Sequence, residues 1–130
     1  MSTINTINTI NRDELNVLIT NPNLVLLEAL NEAAYQQGHL PGARLFPMGS
    51  ARERATTVAA RKDAPIVVYC ASETCKNSDA VAKVLSDVGY SNVRVYKGGK
   101  ADWQAAGLPL ERGGSGASSV PGAGRARIDL

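Results

Sequence analysis

Residues 66–78 read Ile66-Val67-Val68-Tyr69-Cys70-Ala71-Ser72-Glu73-Thr74-Cys75-Lys76-Asn77-Ser78. The stretch begins with β-branched and aromatic residues, which predict a buried strand over residues 66–69. A loop of small and polar residues follows, and after Ser78 the apolar residues recur with a helical period. A helix starting there would direct the positive end of its dipole at the loop, which would bias a thiol in the loop toward the nucleophilic thiolate. We therefore predict that Cys70 is a nucleophile; the alternative is an inert buried cysteine at a strand end.

The composition is typical of one soluble globular domain. The 130 residues are 44% hydrophobic and 20% charged, with a net charge of +2, which is too small to indicate nucleic acid or an acidic membrane surface as a partner. No stretch approaches the ~20 apolar residues of a spanning helix, and the N-terminus lacks a signal-peptide pattern. We expect a cytoplasmic protein with mostly reduced thiols. One His and two Cys without zinc-ligand spacing predict no metal site.

The chain divides into three predicted segments. Residues 1–10 repeat Thr-Ile-Asn, which predicts a flexible N-terminal arm, with an edge strand as the alternative. Residues 11–112 would form the domain, and residues 113–130 a flexible tail rich in Gly, Ser and Ala. Within the domain, strand and helix patterns alternate, with strands predicted at 24–27, 44–46, 66–69 and 93–96 and helices at 12–19, 32–36, 50–61, 79–88 and 101–106. This alternation predicts an α/β domain with a mostly parallel sheet and helices on both faces.

Two local details accompany this assignment. Ser50 and Glu53 have the spacing of a capping box, which places the start of the 50–61 helix at Ser50. Residues 97–100 read Lys-Gly-Gly-Lys, which predicts a flexible basic turn.

The residues after Cys70 suit a loop that binds an anion. Small residues would let successive backbone N–H groups curl around the sulfur, and Lys76 would add positive charge for an anionic donor. Glu73 is expected to face solvent. Cys75 is either a resolving thiol, which captures a persulfide or sulfenic acid on Cys70, or a residue that packs under the loop. The candidate substrate-binding loop comprises Ala71, Ser72, Glu73, Thr74, Cys75 and Lys76.

Four segments carry signatures in a consistent order along the chain. They are Leu26-Leu27-Glu28, Tyr35-Gln36-Gln37-Gly38-His39-Leu40-Pro41-Gly42-Ala43, the strand and loop from Val67 to Ser78, and Gly89-Tyr90-Ser91-Asn92-Val93 with Tyr96-Lys97-Gly98-Gly99 and Trp103-Gln104-Ala105-Ala106-Gly107-Leu108-Pro109-Leu110. Together they resemble the single-domain rhodanese (thiosulfate sulfurtransferase-like) family, whose Y-x-x-G-H-I-P-G-A segment the second one follows closely.

The resemblance implies both a fold and an activity. The fold is a rhodanese-like three-layer α/β/α domain with a mostly parallel central sheet. The activity is that of a sulfurtransferase in which Cys70 carries a persulfide and the loop amides bind the transferred sulfur. The implied partners are a small anionic sulfur donor such as thiosulfate, a thiol acceptor and, as an alternative donor, a protein persulfide. No cofactor is implied, and His39 would brace loops rather than act as a base.

Two departures from the family pattern concern the site. The family often has Asp-x-Arg at the end of the first strand, whereas this chain has Glu28-Ala29-Leu30 and lacks the basic residue. The family's loop places a Ser six residues after the cysteine, often preceded by Arg. Here the matching Ser78 follows Cys70 by eight residues, and the longer loop contains Lys76 and Cys75.

Two alternative functions remain open at this level. The first is a sulfur carrier of low turnover, or a redox-sensing binding module, that uses Cys70 and Cys75. The second is a phosphatase or arsenate reductase, because Cys70 and Lys76 have the Cys-x5-Arg spacing with Lys in place of Arg. Lysine lacks the planar two-point grip on an oxyanion that arginine provides, and no Asp stands out as a general acid.

Overall fold

A computed structural model describes residues 8–113, and these contain a five-stranded sheet. The strands are β1 (Asn8–Thr9), β2 (Val25–Glu28), β3 (Arg44–Leu45), β4 (Ile66–Tyr69) and β5 (Val93–Tyr96). All pairings are parallel, in the order β1-β5-β4-β2-β3. The predicted α/β class with a mostly parallel sheet is therefore confirmed.

The described part of the chain contains five α-helices, four between successive strands and one after β5. They are α1 (Arg12–Leu18), α2 (Glu32–Gln37), α3 (Ala51–Arg54), α4 (Asn77–Asp87) and α5 (Gly99–Ala105). Asn11 starts α1, because its side chain accepts a hydrogen bond from the Glu14 amide while Glu14 bonds back to the Asn11 amide. Gly89, at φ +108°, follows the end of α4 in the left-handed conformation that its position predicts. None of these helices combines the length and apolar character needed to cross a bilayer.

The two faces of the sheet carry separate hydrophobic cores. Side chains alternate along each strand, so that Val67 and Tyr69 face one core while Ile66 and Val68 face the other. The first core includes Leu15, Tyr35 and Trp103, from α1, α2 and α5; the second includes Ala51, Val81 and Leu85, from α3 and α4. Helices thus cover both faces, as the three-layer prediction requires.

The register aligns the carboxyl ends of the three central strands. Glu28 pairs with Tyr69, and Tyr69 pairs with Tyr96. Ligands of open parallel sheets bind beyond this edge. Cys70 follows directly after β4 and so lies at this edge.

Three local predictions need correction or refinement. Instead of one helix over 50–61, 3₁₀ turns flank the short α3, and the Ser50 hydroxyl donates to the Pro47 carbonyl rather than capping. The β-branched run at 56–58 explains the break, since such residues lose side-chain freedom in a helix, and the Thr57 hydroxyl bonds back to the Arg54 carbonyl.

The predicted basic turn at 97–100 is also wrong as a flexible segment. Lys97 pairs with Asp79 at 2.9 Å, and Gly99 and Lys100 already belong to α5. At the other end of the chain, residues 8–9 form β1 at the sheet edge, which favours the edge-strand alternative for that pair. Residues 1–7 and 114–130, most of the predicted arm and tail, lie outside the described residues, and the 11–112 domain boundaries stay a prediction.

Candidate active site

The first residues of α5 hold the backbone of Cys70 in place through hydrogen bonds. The Cys70 carbonyl oxygen accepts a hydrogen bond from the Lys100 amide at 3.0 Å, and the next carbonyl, of Ala71, accepts one from the Ala101 amide at 2.9 Å. Gly99 makes this approach possible, because it adopts φ +64° and a Cβ there would lie 2.9 Å from the Ala71 carbonyl carbon. The backbone of α5 therefore determines where the cysteine leaves the sheet.

The cysteine loop, residues 71–76, turns back toward Cys70. The Cys75 amide donates to the Ser72 carbonyl at 3.0 Å, which closes a turn. The loop's far end is held by Asn77, whose side-chain amide donates to the Ala29 carbonyl at 3.1 Å. Glu73 is exposed, as predicted, and so is Lys76.

Cys70 and Cys75 form a disulfide in this structure. Their Cα atoms are 6.3 Å apart, within the range that a disulfide can bridge. The expectation was of reduced thiols; the turn at residues 72–75 brings the second sulfur next to the first, so that an oxidant can join them. In this state Cys70 has no thiolate, so any nucleophilic role requires reduction of the bond.

Ser78 contacts the Cys70 sulfur through its hydroxyl. It lies in the first turn of α4, is buried, and its Oγ is 3.5 Å from Cys70 Sγ. A thiolate or persulfide at Cys70 could accept a hydrogen bond from this hydroxyl. Within residues 8–113, no three His, Cys, Asp or Glu side chains gather in a way that could hold a metal ion.

Glu28, Tyr69 and Lys100 form a polar cluster, here called the polar floor, at the sheet edge where Cys70 follows β4. Glu28 is fully buried; its Oε1 accepts a hydrogen bond from the Tyr69 hydroxyl at 2.6 Å, and its Oε2 is 3.1 Å from Lys100 Nζ. The ammonium group also donates to the carbonyls of Ala34, at 2.9 Å, and Gly38, at 2.7 Å. The Lys100–Glu28 contact is an ion pair without hydrogen-bond alignment.

The polar floor supplies the cation that the sequence pattern lacks. The family's Asp-x-Arg motif would provide a basic residue next to the strand's acidic end, and here Lys100 reaches that acidic end from α5 instead. Sequence reasoning missed this residue, because the preceding glycines indicated a flexible turn. The available signal was Glu28 itself, an acidic residue at the end of a buried strand with no cation beside it in sequence.

Two tyrosines near Glu28, Tyr69 of the polar floor and Tyr35 of α2, stay protonated at neutral pH. Burial, then the nearby Glu28 carboxylate, raises the pKa of Tyr69 far above its ordinary value. For Tyr35, burial, then Glu28 and Glu111, raises the pKa to about 12. Both hydroxyls act as donors, that of Tyr69 to Glu28 and that of Tyr35 to the Ala43 carbonyl at 2.6 Å.

His39 has the contacts of a structural brace. Its ring stacks on Tyr35 with 3.8 Å between ring centroids, and its Nδ1 lies 2.8 Å from the Tyr35 carbonyl oxygen. Its backbone N–H and C=O pair with those of Glu111, both at 2.8 Å. His39 thus joins α2, through its ring, to Glu111 near the end of the described chain, through its backbone, which supports the bracing role over a catalytic base.

Comparison with known proteins places this geometry in a family. The model of the rhodanese-like domain matches residues 11–106. The chain belongs to the rhodanese-like domain family. Its relatives include the HTH-type transcriptional regulator Rv0324 of Mycobacterium tuberculosis, 29% identical over 90 residues, a match that covers 69% of this chain but only 38% of the regulator. The rhodanese-like domain here thus spans well under half the length of that relative.

Solved structures of rhodaneses and sulfurtransferases share the fold. A rhodanese with anions from Escherichia coli is 28% identical, with a TM-score of 0.58, over 69% of this chain and 99% of that one. The thiosulfate sulfurtransferase from Pseudomonas aeruginosa has a TM-score of 0.70 over 84% of this chain and 21% of its own, at 21% identity. The second likeness shows the fold alone, and fold by itself does not establish an activity.

Proposed function

We propose that this rhodanese-like domain is a sulfurtransferase that carries sulfane sulfur as a persulfide on Cys70. The thiolate of Cys70 attacks the outer sulfur of thiosulfate, the sulfur–sulfur bond of the donor breaks, and sulfite leaves with the electron pair. A thiophilic acceptor such as a thiolate or cyanide then attacks the terminal persulfide sulfur, and Cys70 leaves as a thiolate. The observation that carries the proposal is the position of Cys70, at the end of the central strand β4 and beside Ser78.

The cysteine loop supports this chemistry as a binding site for a small anion. Its candidate residues are Ala71, Ser72, Glu73, Thr74, Cys75 and Lys76. The small side chains of Ala71, Ser72 and Thr74 would let the loop amides approach the transferred sulfur, apart from that of Cys75, which bonds to the Ser72 carbonyl. Lys76, which is exposed, would attract an anionic donor, while Glu73 points to solvent and so avoids repelling it. The expected partners are a small anionic sulfur donor or a protein persulfide, with a thiol acceptor, in the cytoplasm.

The test is thiocyanate formation from thiosulfate and cyanide by protein that has first been reduced and freed of reductant. We expect Cys70→Ser to lower the rate to that of buffer alone, because its hydroxyl cannot hold the sulfur. Cys75→Ser is the matched control, since it also removes the disulfide but keeps the nucleophile. Turnover by Cys70→Ser at the rate of Cys75→Ser, which cannot lose its nucleophile to the disulfide, would show that the proposal is wrong.

The disulfide favours one second candidate, a redox-sensing or sulfur-carrying module of low turnover. Oxidation joins Cys70 to Cys75 and removes the nucleophile, so the oxidised chain cannot accept sulfur. Reduced protein that gains one sulfur atom from thiosulfate but forms thiocyanate no faster than buffer would support this candidate over the enzyme. Uptake of sulfur from thiosulfate by the oxidised protein, without prior reduction, would contradict both.

A further inference from the structure

We propose that Cys75 resolves the Cys70 persulfide and releases hydrogen sulfide, so that a dithiol is the second substrate of this site. The inference rests on the proposed function, because it needs sulfur on Cys70 first. It assigns to Cys75 an activity beyond sensing or transfer: the sulfur leaves as sulfide rather than passing to an external nucleophile.

The reaction balances in two steps. The Cys75 thiolate attacks Cys70 Sγ, the inner sulfur of the persulfide; the bond to the outer sulfur breaks, and that sulfur leaves with the electron pair and a proton as HS⁻. The product is the Cys70–Cys75 disulfide. A dithiol then reduces it: one thiolate attacks Cys75 Sγ, Cys70 leaves as a thiolate, and the second thiol releases Cys75 while the dithiol becomes a cyclic disulfide.

The position of the two sulfurs favours attack at the inner atom. The structure contains the bond that this attack would form, between Cys70 Sγ and Cys75 Sγ. Attack at the outer sulfur would instead leave a persulfide on Cys75 and a thiolate on Cys70. The loop thus places Cys75 against the atom whose attack releases sulfide.

The backbone holds the loop in the conformation that the reaction needs. One end is bonded to α5 through the Cys70 and Ala71 carbonyls, and the other is tied to the chain after β2 through Asn77. The Ser72–Cys75 turn closes the segment between them. Groups held together in this way react with effective concentrations far above those of free thiols in solution. The internal thiol should therefore outcompete external monothiols for the persulfide.

Burial differs between the two cysteines in the direction that reduction requires. Cys70 is 2% exposed, whereas Cys75 is half-buried. In the disulfide form an external dithiol therefore meets Cys75 before Cys70. The sulfur that leaves is then Cys70, where the Ser78 hydroxyl at 3.5 Å can stabilise the thiolate. Each reduction regenerates the nucleophile needed for the next donor.

The experiment measures sulfide per protein in a single turnover. Reduced, desalted, oxygen-free protein is mixed with excess thiosulfate and no thiol, and released sulfide and the state of each cysteine are followed over time. We expect the unmodified protein to release about one equivalent of sulfide as Cys70 and Cys75 become a disulfide. Cys75→Ser should retain its persulfide and release sulfide at least ~10-fold more slowly, since its internal attacking thiol is gone.

The outcomes separate this inference from the proposed function. If Cys75→Ser gains no sulfur, the sulfurtransferase proposal fails and this inference fails with it. If Cys75→Ser gains sulfur but the unmodified protein keeps its persulfide equally long, only the resolving role is overturned. Sulfur found on Cys75 also overturns it, because that product comes from attack at the outer atom.

A second comparison guards against a folding defect in one variant. Cys75→Ala is measured beside Cys75→Ser, and each is compared with the unmodified protein in steady-state sulfide production. Dithiothreitol and a monothiol are used at equal thiol concentration. We expect a dithiol preference of ~10-fold or more in the unmodified protein, because only a dithiol completes reduction intramolecularly. Both variants should release sulfide with dithiothreitol only when it attacks the outer sulfur and then cyclises, at least ~10-fold more slowly than the unmodified protein; equal rates with dithiothreitol in all three proteins would overturn the inference.

Discussion

The cysteine loop and the neighbouring polar floor differ in how exposed their residues are and in how far apart in sequence the contacting residues lie. The loop is short-range: its closing hydrogen bond joins Cys75 to Ser72, and most of its residues are exposed or half-buried. The floor is long-range and buried, since Glu28 and Lys100 meet from strands and helices far apart in sequence. We infer from this difference that the polar floor stabilises the fold around Cys70, while the cysteine loop determines how Cys70 reacts with sulfur donors.

Each part should therefore respond differently to substitution. Changes in the floor should affect the free energy of unfolding, because they leave buried charge unpaired. Changes in the loop should affect sulfur chemistry and leave stability almost unchanged. The following predictions test this division, from the largest effect on stability to the smallest.

Lys100→Met should produce the largest loss of stability. It removes the cation paired with the fully buried Glu28, and breaking such a pair typically costs ~3–5 kcal/mol. Urea unfolding of reduced protein measures the loss. Lys76→Met is the matched control: it makes the equivalent change at an exposed loop residue, and should cost less than ~0.5 kcal/mol. Equal, small losses in both variants would refute the assignment of Lys100 to the floor.

Gly99→Ala should destabilise the contact between floor and loop. A side chain at φ +64° costs about 1–3 kcal/mol, and its Cβ would also press on the Ala71 carbonyl carbon and the Ser72 nitrogen. Gly107→Ala is the control, because Gly107 has φ +79° but no atom within 4 Å of the added Cβ. We expect the Gly99 variant to unfold at lower urea and load sulfur more slowly. Equal urea midpoints for the two variants would show that the close approach of Gly99 to the backbone of residues 71–72 does not contribute to stability.

Tyr35→Phe should reduce the loss of stability at alkaline pH. The pKa of Tyr35 rises from an ordinary 10 to about 12 in the folded protein, so between these values the unfolded chain binds fewer protons and stability falls as pH rises. The variant lacks this contribution and should lose less stability as the pH rises from about 10 to about 12. At neutral pH the variant should be about 1 kcal/mol less stable than the unmodified protein, because it lacks the hydrogen bond from the Tyr35 hydroxyl to the Ala43 carbonyl. Urea unfolding at several pH values measures the effect. If the free energy of unfolding changes with pH in the same way in both proteins, the prediction is wrong.

Lys76→Ala should leave stability unchanged and weaken only donor binding. An exposed cation contributes about 0–1 kcal/mol to an ionic contact, so we expect KM for thiosulfate to rise about 2–5-fold with kcat little changed. The difference from the unmodified protein should shrink as salt is added, since salt screens exposed charges. An effect on kcat alone, insensitive to salt, would place Lys76 in a different role.

Much of the fold was predictable from local pattern. The strand at 66–69 and the anchor Trp103 of α5 follow from residue type and spacing, and both are observed. The helix predicted at 50–61 was wrong, because the β-branched run within it outweighs the capping signal of Ser50. Periodicity therefore located the layers better than it located helix ends.

The candidate site was only partly predictable. The place of Cys70 at a strand end follows from the switch of pattern after Tyr69, and the exposure of Glu73 follows from its charge. The role of Lys100 could not be derived, since its partners Glu28, Ala34 and Gly38 come together only through the fold. The disulfide depends on the turn that brings Cys75 back to Cys70. The spacing of the two cysteines in the sequence did not show whether Cys75 would contact Cys70 or pack under the loop.

The most direct test of the account is peptide mass mapping of both cysteines after exposure to thiosulfate. The Cys75→Ser variant, reduced beforehand, should carry the mass of one added sulfur atom on the peptide that contains Cys70. Unmodified protein that enters the experiment with the Cys70–Cys75 disulfide intact should carry none. No added sulfur on Cys70 in the reduced variant would contradict the account, and so would added sulfur on the disulfide form.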